Sequence, residues 1–288
     1  MSNYINNIDS VGEWVRLDHQ ARLVGKATGL LPALFDDMEF TRILDVGCGP
    51  GCWALDIAAI RPEAEVIGID LSTDMMNYAN ARARTQNLDN VSFIVQDFLT
   101  KELPFLEQSF DLISVRFAAG WLKDGGWVLL LSRCFVLLKP GGYLVITEGE
   151  GIYTTSPALE RLQEILCQAF FTTGYGLSHS PRFLGVVAHL GYLLHETGFR
   201  AIHTETTMLD FSYYHEDQEA NRAWRESFHA LISESAIFLL QSGVTTVEEL
   251  AQLETQISIE MFQKDFCGLG PLLTFSAQKP AGETADEQ

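Results

Sequence analysis

Short β-rich runs alternate with helical stretches through the middle of the chain. The runs are mainly apolar and predict strands at 43–46, 65–69, 92–95, 111–115 and 143–147. The stretches between them predict helices at 52–60, 73–86 and 121–138. Runs this apolar are expected when helices cover both faces of a sheet. Strands joined through helices form right-handed crossovers, so the alternation predicts an α/β fold with a mostly parallel sheet.

The pattern changes after Thr147, where the helical stretches become longer and the strands fewer. We predict helices at about 157–173, 183–197, 219–241 and 246–263, and strands at 201–209 and 272–278. A chain of 288 residues that is 47% hydrophobic can bury one large core, so we expect a single domain over 1–288. Its core would cover about 38–148, 183–211 and 266–280, preceded by a helix at about 10–30. The segments at about 149–182 and 212–265 would be helical insertions that cap the carboxyl ends of the strands, where such sheets bind ligands.

The first predicted strand leads directly into a glycine-rich turn, and a helix follows. The segment Asp45–Gly51 has the sequence DVGCGPG, and its alternate glycines permit positive φ angles and a close approach of the backbone to a ligand. Asp45 can accept a hydrogen bond from an ammonium group, and the free N–H groups of the next helix favour a carboxylate. The turn therefore predicts a pocket for the zwitterionic end of an amino acid, which methionine-derived cofactors carry. A dinucleotide-binding turn has the spacing GxGxxG, whereas the third glycine here comes early, at Gly51.

Acidic residues also end the second and third predicted strands. Asp70 follows the run at 65–69, and its carboxylate can accept hydrogen bonds from both hydroxyl groups of a ribose. Asp97 follows the run at 92–95, where it can accept a hydrogen bond from an adenine amino group while Phe98 packs against the ring. Because parallel strands end at one edge of a sheet, these residues predict an adenosine site beside the glycine turn.

Taken in order, these motifs resemble those of class I methyltransferases. The matching segments are Asp45–Gly51, Asp70, Asp97-Phe98, Phe110–Ile113 and Leu138–Gly142. The resemblance covers about residues 40–150, and His195–Phe199 is similar to the region before the family's sixth strand. Within the family, the chain is most similar to bacterial small-molecule methyltransferases of the ubiquinone and menaquinone biosynthesis type. The resemblance implies a Rossmann-like sheet of seven strands with an antiparallel last strand, and S-adenosylmethionine as the cofactor.

The resemblance also implies roles for particular positions. The implied cofactor-binding residues are Asp45, Gly47, Cys48, Gly49, Gly51, Asp70, Leu71, Asp97, Phe98 and Arg116. Phe117 would lie near the transferred methyl group and contact the substrate, and Arg16 and Gln20 of the early helix could close the cofactor pocket. Tyr175 and His179 belong to a predicted insertion. We predict that they help to bind the acceptor, with His179 as the general base.

Composition limits the classes of partner. The chain has 38 acidic and 19 basic residues, a formal net charge of −19 and no cluster of Lys and Arg, so we expect no nucleic-acid substrate. The polar start of the chain predicts no signal peptide. The most apolar stretch, 127–138, is too short to span a bilayer. Five cysteines without a CxxC pair predict reduced thiols and a cytoplasmic location. No His, Asp or Glu cluster has the spacing of metal ligands, so we expect no metal.

We hypothesise that the chain transfers a methyl group from S-adenosylmethionine to an O, N or C nucleophile of a small, apolar metabolite. An alternative keeps the cofactor but replaces methyl transfer with a rearrangement such as a cyclisation, since fold does not fix function. Two further alternatives are a nicotinamide-dependent oxidoreductase, which the glycine spacing disfavours, and a binding protein without catalytic activity.

Overall fold

A mixed sheet forms the centre of the molecule. The computed structural model describes Ile5 and residues 10–100, 102–123, 125–214 and 218–281. The strands within these residues are β1 (Arg42–Val46), β2 (Glu65–Asp70), β3 (Val91–Val95), β4 (Phe110–Arg116), β5 (Leu138–Gly149), β6 (Tyr153–Thr154), β7 (Arg200–Asp210) and β8 (Gly268–Gln278). The α-helices are α1 (Val11–Thr28), α2 (Cys52–Ile60), α3 (Thr73–Thr85), α4 (Gly126–Leu137), α5 (Pro157–Thr173), α6 (Val186–Thr197), α7 (Gln218–Gln241) and α8 (Val247–Glu260).

The strand order confirms the predicted mostly parallel sheet with an antiparallel last strand. The order is β3-β2-β1-β4-β5-β8-β7, and β1 to β5 run parallel to one another. Strand β8 is antiparallel to both β5 and β7. The two-residue β6 is an addition to the seven predicted strands. Like β5, it pairs with β8. Gly149 of β5 pairs with Leu272, and Tyr153 of β6 pairs with Leu269 further along the same strand.

Two helices begin later than the sequence pattern predicts. Helix α4 begins at Gly126 and α6 begins at Val186, although the apolar pattern extends further toward the amino terminus in both cases. The residues that precede them, Gly125 and Gly185, have φ angles of 75° and 76°. Glycine enters this left-handed region with little strain, so each glycine turns the chain immediately before its helix.

Strand β5 is longer than predicted. The Lys-Pro-Gly-Gly segment at 139–142 lies between the predicted helix at 121–138 and the predicted strand at 143–147, yet it belongs to the strand. Phe110 of β4 pairs with Leu138, and Leu112 pairs with Tyr143, so β5 bulges between these two pairings. A bulge accommodates the proline, which cannot donate a hydrogen bond to a neighbouring strand.

Helices cover both faces of the sheet, as the apolar strands require. Leu44 of β1 packs into a cluster with Trp127 of α4 and Leu190 of α6. Its neighbour Ile43 points to the opposite face and packs into a cluster with Trp53 of α2. This alternation along one strand is the reason that β1 is apolar on both sides.

A third apolar cluster lies among α5, α7 and α8 and includes Leu162, Ile232 and Ile257. Helix α1 packs along α7, and the Ser10 hydroxyl donates a hydrogen bond to Glu234 Oε1 at 2.9 Å. Helices α5, α7 and α8 come from the segments predicted as insertions, and the division into core and cap stays a prediction. In the part of the chain that the structure describes, no helix has the length and hydrophobicity needed to cross a membrane.

Candidate cofactor and active site

A cavity of about 380 Å³ lies at the carboxyl ends of the parallel strands. Of the predicted site residues, eleven line this cavity: Arg16, Gln20, Gly47, Cys48, Gly49, Asp70, Leu71, Asp97, Phe98, Arg116 and Phe117. The predicted residues outside the lining are Asp45, Gly51, Tyr175 and His179. Helices α1, α5 and α7 each add lining residues, so the cavity lies between the sheet edge and these helices.

The glycine turn has the backbone that its sequence predicts. Gly47, Gly49 and Gly51 have φ angles of 68°, 53° and 80°. The turn closes against β2, because the N–H groups of Gly47 and Cys48 both donate to the carbonyl of Ile69, at 2.9 and 3.0 Å. Gly51 acts through packing, since a Cβ atom there would lie 2.6 Å from a ring carbon of Phe93. The first two glycines shape the cavity wall, and the third lets the following helix approach the sheet.

Asp70 fixes the end of β2 against the glycine turn. Its Oδ2 accepts a hydrogen bond from the N–H of Gly49, and its Oδ1 accepts one from the N–H of Ser72, both at 3.0 Å. Burial raises the pKa of Asp70, although these backbone donors oppose that rise. Each carboxylate oxygen can accept a second hydrogen bond, so Asp70 can hold hydroxyl groups of a ligand in the cavity.

Asp97 and Phe98 occupy the corresponding position after β3. Asp97 Oδ1 accepts a hydrogen bond from the N–H of Leu99 at 2.8 Å, which orients the carboxylate. The Phe98 side chain is buried and lines the cavity, as do Leu71 and Leu99. Together these residues provide an apolar slot with an acceptor at its edge, which suits a purine ring.

Two buried polar atoms beside the glycine turn have no hydrogen-bond partner among the residues that the structure describes. They are Asp45 Oδ2 and Arg116 Nε, and the Asp45 carboxylate lies 4.0 Å from Arg116 Nη2. Burial raises the pKa of Asp45 to about 6, although the Arg116 guanidinium opposes the rise. Unpaired buried polar atoms are costly and imply a missing partner. An acceptor and a donor side by side fit the ammonium and carboxylate groups of an amino-acid moiety.

Glu148, at the end of β5, lines the cavity and was not predicted. Its side chain is 1% exposed, and its Oε1 accepts hydrogen bonds from the N–H groups of Ala118 and Ala119, at 2.5 and 3.3 Å. Burial raises the pKa of Glu148 to about 8, while the two backbone donors oppose the rise. The carboxyl group is therefore mainly protonated at pH 7. Its position after an apolar strand is the same signal that identified Asp70.

Phe117 has an unusual backbone that presents the segment after β4 to the cavity. Its φ angle is 54°, in the left-handed region that bulky residues seldom adopt. The N–H of Phe117 donates to the carbonyl of Thr147 at 2.9 Å, and Glu148 holds the next two backbone N–H groups. The end of β5 thus holds the strained segment in place.

Helix α1 contributes a network of charged and polar side chains to the cavity wall. Arg16 and Gln20, which were predicted to close the cofactor pocket, both line the cavity. Arg16 Nη1 donates to Gln20 Oε1 at 2.8 Å, and its Nη2 lies 2.6 Å from the buried Glu13 carboxylate. These contacts hold the guanidinium close to the helix that carries it.

Cys48 of the glycine turn and Cys52, the first residue of α2, line the cavity as neutral thiols. Burial raises the pKa of Cys48 well above its usual range. The pKa of Cys52 rises to about 11, first because of burial and also because its Sγ lies 3.0 Å from Asp18 Oδ1. Among the described residues, no group of three or more His, Cys, Asp or Glu side chains could hold a metal ion.

The structure does not bring Tyr175 and His179 to the cavity. Tyr175 is 5% exposed and packs against Phe170, which is itself a lining residue, so Tyr175 lies one layer behind the wall. His179 is exposed, and its ring lies 6.3 Å from that of His189. The loop folds back because the N–H groups of residues 177 and 178 donate to the carbonyl of Leu184. Leu184, rather than His179, therefore reaches the cavity.

The sheet order and the set of acidic strand ends define a class of protein. A glycine turn after β1, with carboxylates after β1, β2 and β3, is the arrangement that the resemblance to class I methyltransferases implies. Residues 43–142 match a family of methyltransferase domains. This match assigns the segment that holds the glycine turn, Asp70 and Asp97 to a methyltransferase domain.

Individual relatives agree with this assignment. The methyltransferase str2 of Strobilurus tenacellus is 32% identical over 145 residues, which are 50% of this chain and 48% of that protein. Demethylmenaquinone methyltransferase of Lactococcus lactis subsp. lactis (strain IL1403) is 32% identical over 113 residues, which are 39% of this chain and 43% of that protein. The chain thus spans about half the length of these two relatives, or slightly less.

A solved structure shares the fold. Phosphoethanolamine N-methyltransferase 2 of Haemonchus contortus, in complex with S-adenosyl-L-methionine, matches with a TM-score of 0.52 and 22% sequence identity. The match covers 91% of this chain and 52% of that one.

Proposed function

We propose that this protein binds S-adenosylmethionine in the 380 Å³ cavity and transfers its methyl group to an O, N or C nucleophile of a small, apolar molecule. The observation that carries the proposal is that Asp45 Oδ2 and Arg116 Nε, both buried beside the glycine turn, lack a hydrogen-bond partner among the described residues. That pair suits the methionine end of the cofactor, and Asp70 suits its ribose. When bound, S-adenosylmethionine supplies an electrophilic methyl group.

The residues of the cavity would act mainly by binding and orienting. Asp45 and Arg116 would hold the amino-acid end, Asp70 the ribose hydroxyls, and Asp97 with Phe98 the adenine. Fixing two reactants in line can lower a barrier by about 7–11 kcal/mol in favourable cases. Glu148 would exchange a proton with the acceptor, because its carboxyl group is buried in the wall and its pKa of about 8 lies near neutral pH.

The character of the acceptor follows from the remaining walls. Phe117, Phe170, Leu184 and Leu231 supply apolar surface, and the formal net charge of −19 opposes binding of a polyanion. These features support a small apolar acceptor rather than a nucleic acid. A cytoplasmic location is part of the same proposal.

Isothermal titration calorimetry tests the cofactor assignment. We expect micromolar binding of S-adenosylmethionine and S-adenosylhomocysteine, no binding of NADH, and at least about a tenfold loss of affinity in Asp70→Asn. Asp89→Asn is the matched control, because Asp89 is exposed and lies outside the cavity lining. Failure of the folded protein to bind S-adenosylmethionine would refute the proposal, and binding of NADH alone would support the oxidoreductase alternative.

A second assay separates methyl transfer from the cyclisation alternative. Purified protein is incubated with S-adenosylmethionine and a panel of apolar phenols, amines and enols, and S-adenosylhomocysteine is measured by mass spectrometry. Acceptor-dependent formation of S-adenosylhomocysteine supports methyl transfer. Tight cofactor binding with no product across the panel would favour the non-methylating alternative.

A further inference from the structure

A second cavity adjoins the cofactor cavity and has a volume of about 230 Å³. Five residues line both cavities: Ile5, Gly149, Phe170, Leu184 and Leu231. The two spaces therefore meet at the end of β5, directly after Glu148. The site proposed for methyl transfer thus continues into this second chamber, which extends between α5 and α7.

The walls of the second chamber are almost entirely hydrocarbon. The residues that line this chamber alone include Ile152, Leu159, Leu162, Leu166, Cys167 and Phe228. Aliphatic side chains from α5 form one side and Phe228 of α7 forms another. A cavity with this lining gains affinity for a ligand by removing apolar surface from water.

The two polar residues of the chamber are already engaged by the protein. The Glu150 carboxylate accepts hydrogen bonds from the N–H groups of Gly185 and Val187, at 2.6 and 3.2 Å. Gln163 Oε1 accepts a hydrogen bond from the N–H of Ile152 at 2.5 Å. These contacts pair three side-chain oxygens of the chamber with backbone N–H groups of the protein, so recognition there rests mainly on hydrocarbon contact.

We propose that the second chamber holds the hydrocarbon portion of the methyl acceptor, with the reacting end at Gly149 beside Glu148. This inference rests on the proposed methyl transfer, because that reaction makes the ligand an acceptor. The acceptor is then an elongated molecule with a nucleophilic head and an aliphatic tail. At roughly 30 Å³ for each water-sized group, the chamber takes about eight methylene-sized groups.

Straight-chain alcohols test the chamber without knowledge of the true acceptor. The alcohols run from 1-butanol to 1-decanol, and each is titrated to displace the uncharged dye N-phenyl-1-naphthylamine from the full-length protein, with fluorescence as the readout. Affinity is expected to rise about fourfold with each methylene group and to level off near eight carbons. Affinity that does not depend on chain length would overturn the proposal.

Variants of one wall residue locate the binding. Leu166→Trp removes space, so the longest alcohols should bind roughly tenfold more weakly, equivalent to the loss of about two methylene sites. Leu166→Ala adds space and should move the plateau to longer alcohols. Leu129→Trp is the control, because Leu129 is 40% exposed on α4, and it should change neither affinity nor plateau. Thermal unfolding of each variant verifies that it is folded.

Calorimetry with S-adenosylmethionine on the same samples separates the two proposals. Cofactor binding together with chain-length-dependent alcohol binding supports both. If the cofactor binds but neither Leu166 variant changes the affinities for the alcohols, the proposal for the second chamber is refuted and the proposal of methyl transfer is unaffected. Alcohol binding in the chamber without cofactor binding refutes methyl transfer and the assignment of the ligand as an acceptor.

Discussion

Replacement of Glu148 by Gln should make the protein more stable at alkaline pH and should change how stability depends on pH. The amide oxygen of Gln can accept the hydrogen bonds that Ala118 and Ala119 donate to Glu148, so the local structure is retained. Only the ability to ionise is lost. The comparison therefore isolates the cost of a buried charge from the contribution of the hydrogen bonds.

The magnitude follows from the pKa of Glu148, which is about 8 in the folded protein against an ordinary value of 4.5. Between these values the folded state keeps a proton that the unfolded state has lost, so wild-type stability falls as pH rises. Each pH unit in this window corresponds to about 1.36 kcal/mol. The free energy of unfolding of Glu148→Gln, relative to wild type, should therefore increase by about 3 kcal/mol from pH 5.5 to pH 8.5.

Urea unfolding at constant ionic strength, followed by tryptophan fluorescence, measures this difference. Glu63→Gln is the control, because Glu63 is exposed and its replacement should shift stability by less than about 0.5 kcal/mol at either pH. Glu148→Ala should be destabilised at both pH values, since it also loses the hydrogen bonds to the backbone. A Glu148→Gln difference that is the same at pH 5.5 and 8.5 would refute the assignment of a protonated Glu148.

Three further changes test the glycine turn, the buried Asp45 beside it, and Asp111, which accepts hydrogen bonds from Lys139 and from the N–H groups of Thr41 and Arg42 at the start of β1. Gly51→Ala places a Cβ atom 2.6 Å from Phe93 at a φ of 80°, and should cost at least about 2 kcal/mol in urea unfolding; unchanged stability would contradict this packing. Asp45 has a pKa of about 6, so wild-type affinity for S-adenosylmethionine should fall about tenfold from pH 7 to pH 5 by calorimetry, whereas Asp45→Asn should bind weakly at both. If the affinity of Asp45→Asn depended on pH as strongly as that of the wild type, Asp45 would be excluded as the titrating group. Burial raises the pKa of Asp111, but Lys139 and backbone donors outweigh it and the pKa is lowered. Asp111→Ala should therefore lose about 2–3 kcal/mol at neutral pH and progressively less as the wild-type carboxylate is protonated below pH 4, as followed by thermal unfolding.

The parallel half of the fold could be predicted because each of its strands is a short apolar run between clear turns. β1 illustrates this, since Ile43 and Leu44 are both buried and belong to clusters on opposite faces. Two features could not be predicted from local pattern. The two residues of β6 carry too little signal, and the bulge in β5 depends on the register with β4, which is a property of two strands together.

The part of the cavity lining at the strand ends was predictable because its residues end or closely follow strands. Asp70 and Asp97 occupy equivalent strand ends, and the parallel sheet brings them to one edge. The acceptor side depends on how loops and insertions fold in space. His179 lies in a loop whose direction is set by hydrogen bonds to Leu184, and no sequence periodicity reports such bonds. Glu148 also lies at the end of a parallel strand, so the pattern that identified Asp70 identifies Glu148 as well.

The position of β8 between β5 and β7 has a consequence for synthesis on the ribosome. β7 pairs with β8, and the described strands offer it no other partner. Until the ribosome has released residues 268–278, β5 has an open edge and β7 has no sheet to join. The intervening helices α5 to α8 are made during this interval. Between the synthesis of β7 and that of β8, the nascent chain therefore carries unpaired edges on both β5 and β7, and such edges can pair with other chains.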